Sequence, residues 1–122
     1  MKRLILIMTV LFGTAAMAQN YIAPEPNERQ EQEAKVLASK LDDQLSLTEK
    51  QLLAVELLNG EFIARRDEIV GRQDISTLQK NELLEAIYVE QGKEMADIVT
   101  RVQLDLYEKI RGELQPLIVI KE

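Results

Sequence analysis

Apolar residues recur at helical spacing through most of the chain. From about Glu28, the positions Val36, Leu37, Lys40 and Leu41 form one stripe, and Glu31 sits four residues before Lys35 in the favourable order for a helix-surface pair. The pattern fades near Leu45 and Ser46. A second run, Leu52, Val55, Leu58, Phe62 and Ile69, predicts a helix to about Val70 that stops at Gly71. A third, Leu84, Ile87, Gln91, Met95 and Ile98, predicts a helix from Asp74 or Ser76. Gly92 lies inside it, at a cost of about 1 kcal/mol relative to alanine, which a bend or a close helix contact would explain. A last stripe, Leu106, Ile110 and Leu114, ends at Pro116. Glu61–Arg65, Glu68–Arg72 and Asp105–Lys109 are spaced as supporting ion pairs.

Three of these helices have sharp start signals. Thr48-Glu49-Lys50-Gln51, Ser76-Thr77-Leu78-Gln79 and Thr100-Arg101-Val102-Gln103 each have the capping-box form. The hydroxyl accepts from the backbone amide three residues on, and the glutamine side chain accepts from the cap's own amide. Leu47 and Leu52 are placed to staple the first of them. The third box either opens a fourth helix or kinks a longer one.

The ends of the chain read differently. Lys2 and Arg3, an apolar stretch from Leu4 to Phe12, and Ala16-Met17-Ala18 make residues 1–18 an export signal with Gln19 as the first mature residue. The stretch is short for a bilayer span. Residues 19–28 form a linker in which Pro24 and Pro26 block a helix. The helical domain then covers 29–115. The apolar tail 116–122 either packs on its own bundle or straps a partner chain.

Composition narrows the class. Of 122 residues, 46% are hydrophobic and 4% aromatic, with five Gly and three Pro, so long helices are favoured over a sandwich or barrel. Cys and His are absent, which removes thiol and imidazole chemistry and the best zinc, copper and nickel ligands. Of the serines, Ser39, Ser46 and Ser76 have neither a nucleophile-elbow context nor a histidine to activate them. There is no glycine-rich phosphate loop and no calcium-loop ladder. No enzyme activity, metal or cofactor is therefore expected. Signal removal takes two of the 15 basic residues and none of the 21 acidic ones, moving the net charge from −6 to −8. A chain so acidic is not expected to bind nucleic acid.

Leu47-Thr48-Glu49-Lys50-Gln51 and Val99-Thr100-Arg101-Val102-Gln103 together resemble the paired LTxxQ motifs of the Spy/CpxP family of periplasmic proteins. The first matches fully, and the second has Val99 in place of leucine. The resemblance covers roughly Arg29 to Leu114. It implies an all-α, bent helical hairpin of about four helices that pairs into an antiparallel, cradle-shaped homodimer. It also implies either an ATP-independent chaperone holding unfolded envelope proteins or a regulator that binds a membrane stress sensor or an anti-sigma outer domain. Two features depart from the family. Its chaperones carry a basic concave face, whereas here only Arg65, Arg66 and Arg72 cluster; its metal-sensing members use histidines that this chain lacks. Leu47, Thr48, Gln51, Val99, Thr100 and Gln103 are assigned to capping. Leu58, Phe62, Ile63, Arg65, Arg66, Ile69, Tyr88 and Met95 are the candidate client-binding residues, each of which core or dimer packing would also explain.

Overall fold

A computed structural model describes residues 24–121, and the export segment and the start of the linker lie outside these residues. Four helices follow in order: α1 (Glu28–Leu45), α2 (Glu49–Gly71), α3 (Thr77–Ile98) and α4 (Arg101–Leu114). No strand occurs among the described residues. The fold is all-α.

Each helix opens on a complete capping box, with Asn27, Thr48, Ser76 and Thr100 as N-caps. The Asn27–Gln30 box places the start of α1 inside the segment expected to be linker: Asn27 Oδ1 accepts from Gln30 N at 2.8 Å, and Gln30 Oε1 accepts from Asn27 N at 3.0 Å. The Thr100 box opens a separate helix and does not kink a longer one. At the other end of α1, Ser46 adopts the left-handed conformation, with φ of 53°, and its amide donates to Asp42 O. Asp42 Oδ1 also accepts from Leu47 N at 2.8 Å, so one aspartate closes α1 and aims the chain into α2.

Packing follows the short connections. α1 lies against α2, α2 against α3, and α4 against both α1 and α3. Leu37, Ala38, Leu41, Leu45, Val55, Leu58, Met95, Val99 and Tyr107 form one apolar cluster drawn from all four helices. Ala34, Phe62, Ile63, Ile69, Leu84 and Ile87 form a second, from the first three helices, against which Tyr88 and Ile120 pack. Burial of each large side chain contributes about 1.5–3 kcal/mol.

Polar side chains separate the clusters. Asn59 Nδ2 donates to Ala34 O at 3.4 Å, and Gln91 Nε2 donates to Asn59 Oδ1 at 3.2 Å. Arg111 Nη2 donates to Gln91 Oε1 at 3.3 Å and to the Tyr88 carbonyl. The arginine lies 3.5 Å from the centre of the Tyr88 ring and 5.5 Å from that of Tyr107, and it makes no ion pair among the described residues. Carbonyl oxygens and ring faces thus carry its charge. Gly92 permits this arrangement, because a Cβ there would stand 2.9 Å from Arg111 Nη1. Contact with the Arg111 side chain of α4 accounts for the glycine.

On the last helix Ile110 and Leu114 pack against the first cluster as expected, but Leu106 does not. Tyr107 is the helix's buried residue, at 1% exposure, whereas Leu106 is 37% exposed. The tail packs on its own chain. Tyr88 Oη donates to Gln115 O at 2.9 Å, and Asn81 clasps Ile120 through bonds of 2.8 and 3.0 Å.

Candidate functional site

The two aliphatic-Thr-x-x-Gln segments meet. Each begins as a local device: Thr48 and Thr100 accept from the amides of Gln51 and Gln103 at 3.1 and 3.3 Å. Each glutamine oxygen accepts from its own threonine amide, at 3.0 and 2.9 Å. The same glutamines then join across 52 positions of sequence, Gln51 Nε2 donating to Gln103 Oε1 at 2.8 Å and Gln103 Nε2 to Gln51 Oε1 at 3.1 Å. Remaining donor capacity goes to helix-end carbonyls. Gln51 reaches Ile98 O at 3.3 Å; Gln103 reaches Leu45 O at 3.2 Å and Ser46 O at 3.4 Å. One pair of amides therefore ties the starts of α2 and α4 to the ends of α1 and α3. Leu47 and Val99 pack into the same apolar cluster beneath it.

Aligning the two threonines exposes a longer correspondence. Leu52, Glu56, Gly60 and Glu61 match Leu104, Glu108, Gly112 and Glu113. In the same register Val55 falls opposite Tyr107 and Asn59 opposite Arg111, two pairs that occupy core and polar-row positions. This register is the sequence signal that marks Tyr107, rather than Leu106, as the inward residue.

Most of the candidate contact residues are committed elsewhere. Leu58 and Met95 belong to the first cluster, and Phe62, Ile63 and Ile69 to the second, all 8% exposed or less. Tyr88 is partly buried, edge-on to Phe62 with ring centres 6.4 Å apart. These five aliphatic and aromatic core residues are not free to meet a partner in this fold; burying them is what holds the helices together. The arginines do not form an uncompensated positive patch. Arg65 pairs with Glu90 at 3.1 Å, Arg66 with Asp67 at 2.8 Å and Glu33 at 3.4 Å, and Arg72 with Asp74 at 2.7 Å. Asp67 also accepts from Arg29 and Gln30, joining the first turn of α1 to α2. Partial burial raises its pKa, but hydrogen bonds from Gln30, Arg66 and Arg29 outweigh this and leave it below the usual carboxylate value.

The apolar surface lies at other positions. Leu53 and Leu57, four apart on α2, are 62% and 72% exposed; Leu78 is 68% exposed and Val102 79%. Leu53 and Leu57 fall off the Leu52–Val55–Leu58–Phe62 stripe, and that offset was the available sign that they face outward.

A groove of about 270 Å³ lies between the tail and the bundle, walled by Val36, Leu37, Phe62, Ile63 and Leu84 and covered by Leu117 and Ile118. Gln115, on its wall, is 9% exposed, and neither side-chain polar atom has a partner. An unpaired buried amide costs about 1–3 kcal/mol.

No group of acidic residues among those described is placed to hold a metal ion. No helix among them is long and apolar enough to cross a membrane. The chain matches no family model, no curated protein and no solved structure.

Proposed function

We propose that the chain is an exported, Spy/CpxP-like binding protein of the periplasm that acts without ATP, as a homodimer, to hold unfolded envelope proteins. The observation that carries this reading is the Gln51–Gln103 pair, in which two LTxxQ-like segments act as one structural unit. An accidental pair of capped helices has no need to meet. Holding by surface contact also suits the side chains outside the core: Leu53, Leu57, Leu78 and Val102 present large apolar area on a highly charged chain. The contact surface is accordingly assigned to them and not to the buried residues of α2.

The purified protein should suppress aggregation of an unfolding test protein in the absence of nucleotide. Leu57→Lys should weaken that protection while leaving the urea midpoint unchanged. No protection by the unaltered protein in molar excess overturns the reading. Sequencing the N-terminus of the exported form tests the signal, which requires Gln19 first. Solution mass tests the dimer.

One observation favours a second reading, a regulator of a single envelope sensor. The arginines that could supply a basic client-facing patch are ion-paired, and the chain is acidic overall. Long-range attraction of many clients is therefore weak. Crosslinking in envelope extracts separates the two, since one stoichiometric membrane partner means regulation and many unfolded partners mean holding.

A further inference from the structure

We infer that the groove beneath the C-terminal strap is a binding site for an extended, apolar polypeptide segment, which pairs with the strap's free backbone. This rests on the binding-protein reading above and assigns one contact within it.

Three features converge there. The walls supplied by α1, α2 and α3 present Val36, Leu37, Phe62, Ile63 and Leu84 between the charged side chains of Glu33, Lys40 and Arg66, with Val36 open at the rim, 46% exposed. Among the described residues the strap is tied near its ends, at the Gln115 carbonyl and at Ile120. Between these ties, the backbone groups of Leu117, Ile118 and Val119 make no hydrogen bond among the described residues, and all three side chains are well exposed. Finally, Gln115 keeps a donor and an acceptor shut beneath the strap with no partner for either.

These features select among occupants. An acyl chain would fill the apolar volume but leave the strap backbone and the Gln115 amide unpaired. A helix satisfies its own backbone groups internally and would likewise leave the strap backbone without a partner. An extended segment fits both requirements. Its N–H and C=O groups alternate along an edge, as in strand addition, and every second side chain points to one face. Side chains i and i+2 enter the groove. As the strap lifts between its two ties, the Gln115 amide turns to the incoming backbone and gains both bonds.

The test uses a fluorescein-labelled, end-capped heptapeptide of alternating leucine and serine, followed by anisotropy against the purified protein. Binding to the unaltered protein is expected. Gln115→Leu and Val36→Arg should each weaken it about tenfold, with helix content unchanged, whereas Lys109→Ala on α4 should not. Equal binding by all the variants, displacement of the peptide by decanoate, or no binding to the unaltered protein overturns the site. Aggregation protection is measured on the same preparations. Protection without peptide binding sinks the groove and leaves the holding function standing; peptide binding without protection does the reverse.

Discussion

Replacing Gln103 by alanine removes more than a helix cap. Its amide nitrogen donates to three acceptors, Gln51 Oε1, Leu45 O and Ser46 O, and its oxygen accepts from Thr100 N and Gln51 Nε2. Two N–H groups serve the three acceptors, so about four full bonds are at stake. A net hydrogen bond contributes about 0.5–1.5 kcal/mol, and these are partly wet, which sets the low end of that range for each. The expected loss is about 2–3 kcal/mol. Gln79 is the internal control. It makes the same box with Ser76 but, among the described residues, no bond to another helix, so Gln79→Ala should cost only about 0.5–1 kcal/mol. Urea unfolding followed by far-ultraviolet circular dichroism reads both. With a denaturant slope of about 1–3 kcal/mol per molar, Gln103→Ala should lower the midpoint by roughly 1–2 M, well beyond the shift for Gln79→Ala. Because Gln51 and Gln103 share two reciprocal bonds, the double alanine variant should fall short of the summed single losses by about 1–2 kcal/mol. Equal shifts for Gln103→Ala and Gln79→Ala, or strict additivity in the cycle, would refute the assignment of the pair as a tertiary tie.

Other changes probe the remaining features. Gly112→Ala meets nothing within 4 Å and should stabilise by about 0.5–1 kcal/mol, whereas Gly92→Ala must displace Arg111 and should be worse than Gly112→Ala by about 1 kcal/mol or more in thermal unfolding. Tyr107 is held neutral by burial, with its pKa pushed up to about 12. The unfolded phenol ionises near 10, so stability is intact below that pH and falls by about 2–3 kcal/mol as pH rises through 12; Tyr107→Phe should flatten that decline in urea titrations across the range. Asn81→Ala removes both bonds to Ile120 and should cost about 1 kcal/mol while speeding proteolysis between Leu117 and Val119, read by mass spectrometry.

What the sequence made legible is what short-range chemistry specifies. Thr48, Ser76 and Thr100 announce their helices because a hydroxyl and a glutamine three residues apart satisfy the same orphan amides wherever they occur. The ends at Leu45, Gly71 and Leu114 follow from a loss of periodicity, a glycine and a nearby proline. Asn27 was hidden by its neighbours: between Pro26 and Glu28 it reads as linker, although its side chain caps as well as a serine does. The union of Gln51 with Gln103 lies beyond any local pattern, because each box is complete alone and their meeting depends on how four helices close. The burial of Tyr107 is hidden for a similar reason. Ile110 and Leu114 of the expected stripe do pack on the core, but the fully buried position of this helix is taken by Tyr107, in the same cluster as Met95 and Val55 and near Arg111, while Leu106 stays at the surface. The contact residues expected on α2 shared this ambiguity, since a periodic apolar stripe marks a buried face without saying whether the chain itself or a partner buries it.

The row from Asn59 through Gln91 to Arg111 gives the molecule a waist. Apolar packing is non-directional and can slip, whereas a line of amides and a guanidinium fixes one alignment of α2, α3 and α4. On one side of this waist sit the glutamine tie and helix contacts from the whole chain. On the other, the tip of the α2–α3 hairpin depends on six core residues, on partly exposed polar pairs such as Asp67 with Arg29 and Gln30, and on a strap tied at two points. Local melting is consequently partitioned: the hairpin tip can breathe and exchange its amide protons while the tied end keeps its shape, so the protein has a compliant pole and a firm one built from a single short chain.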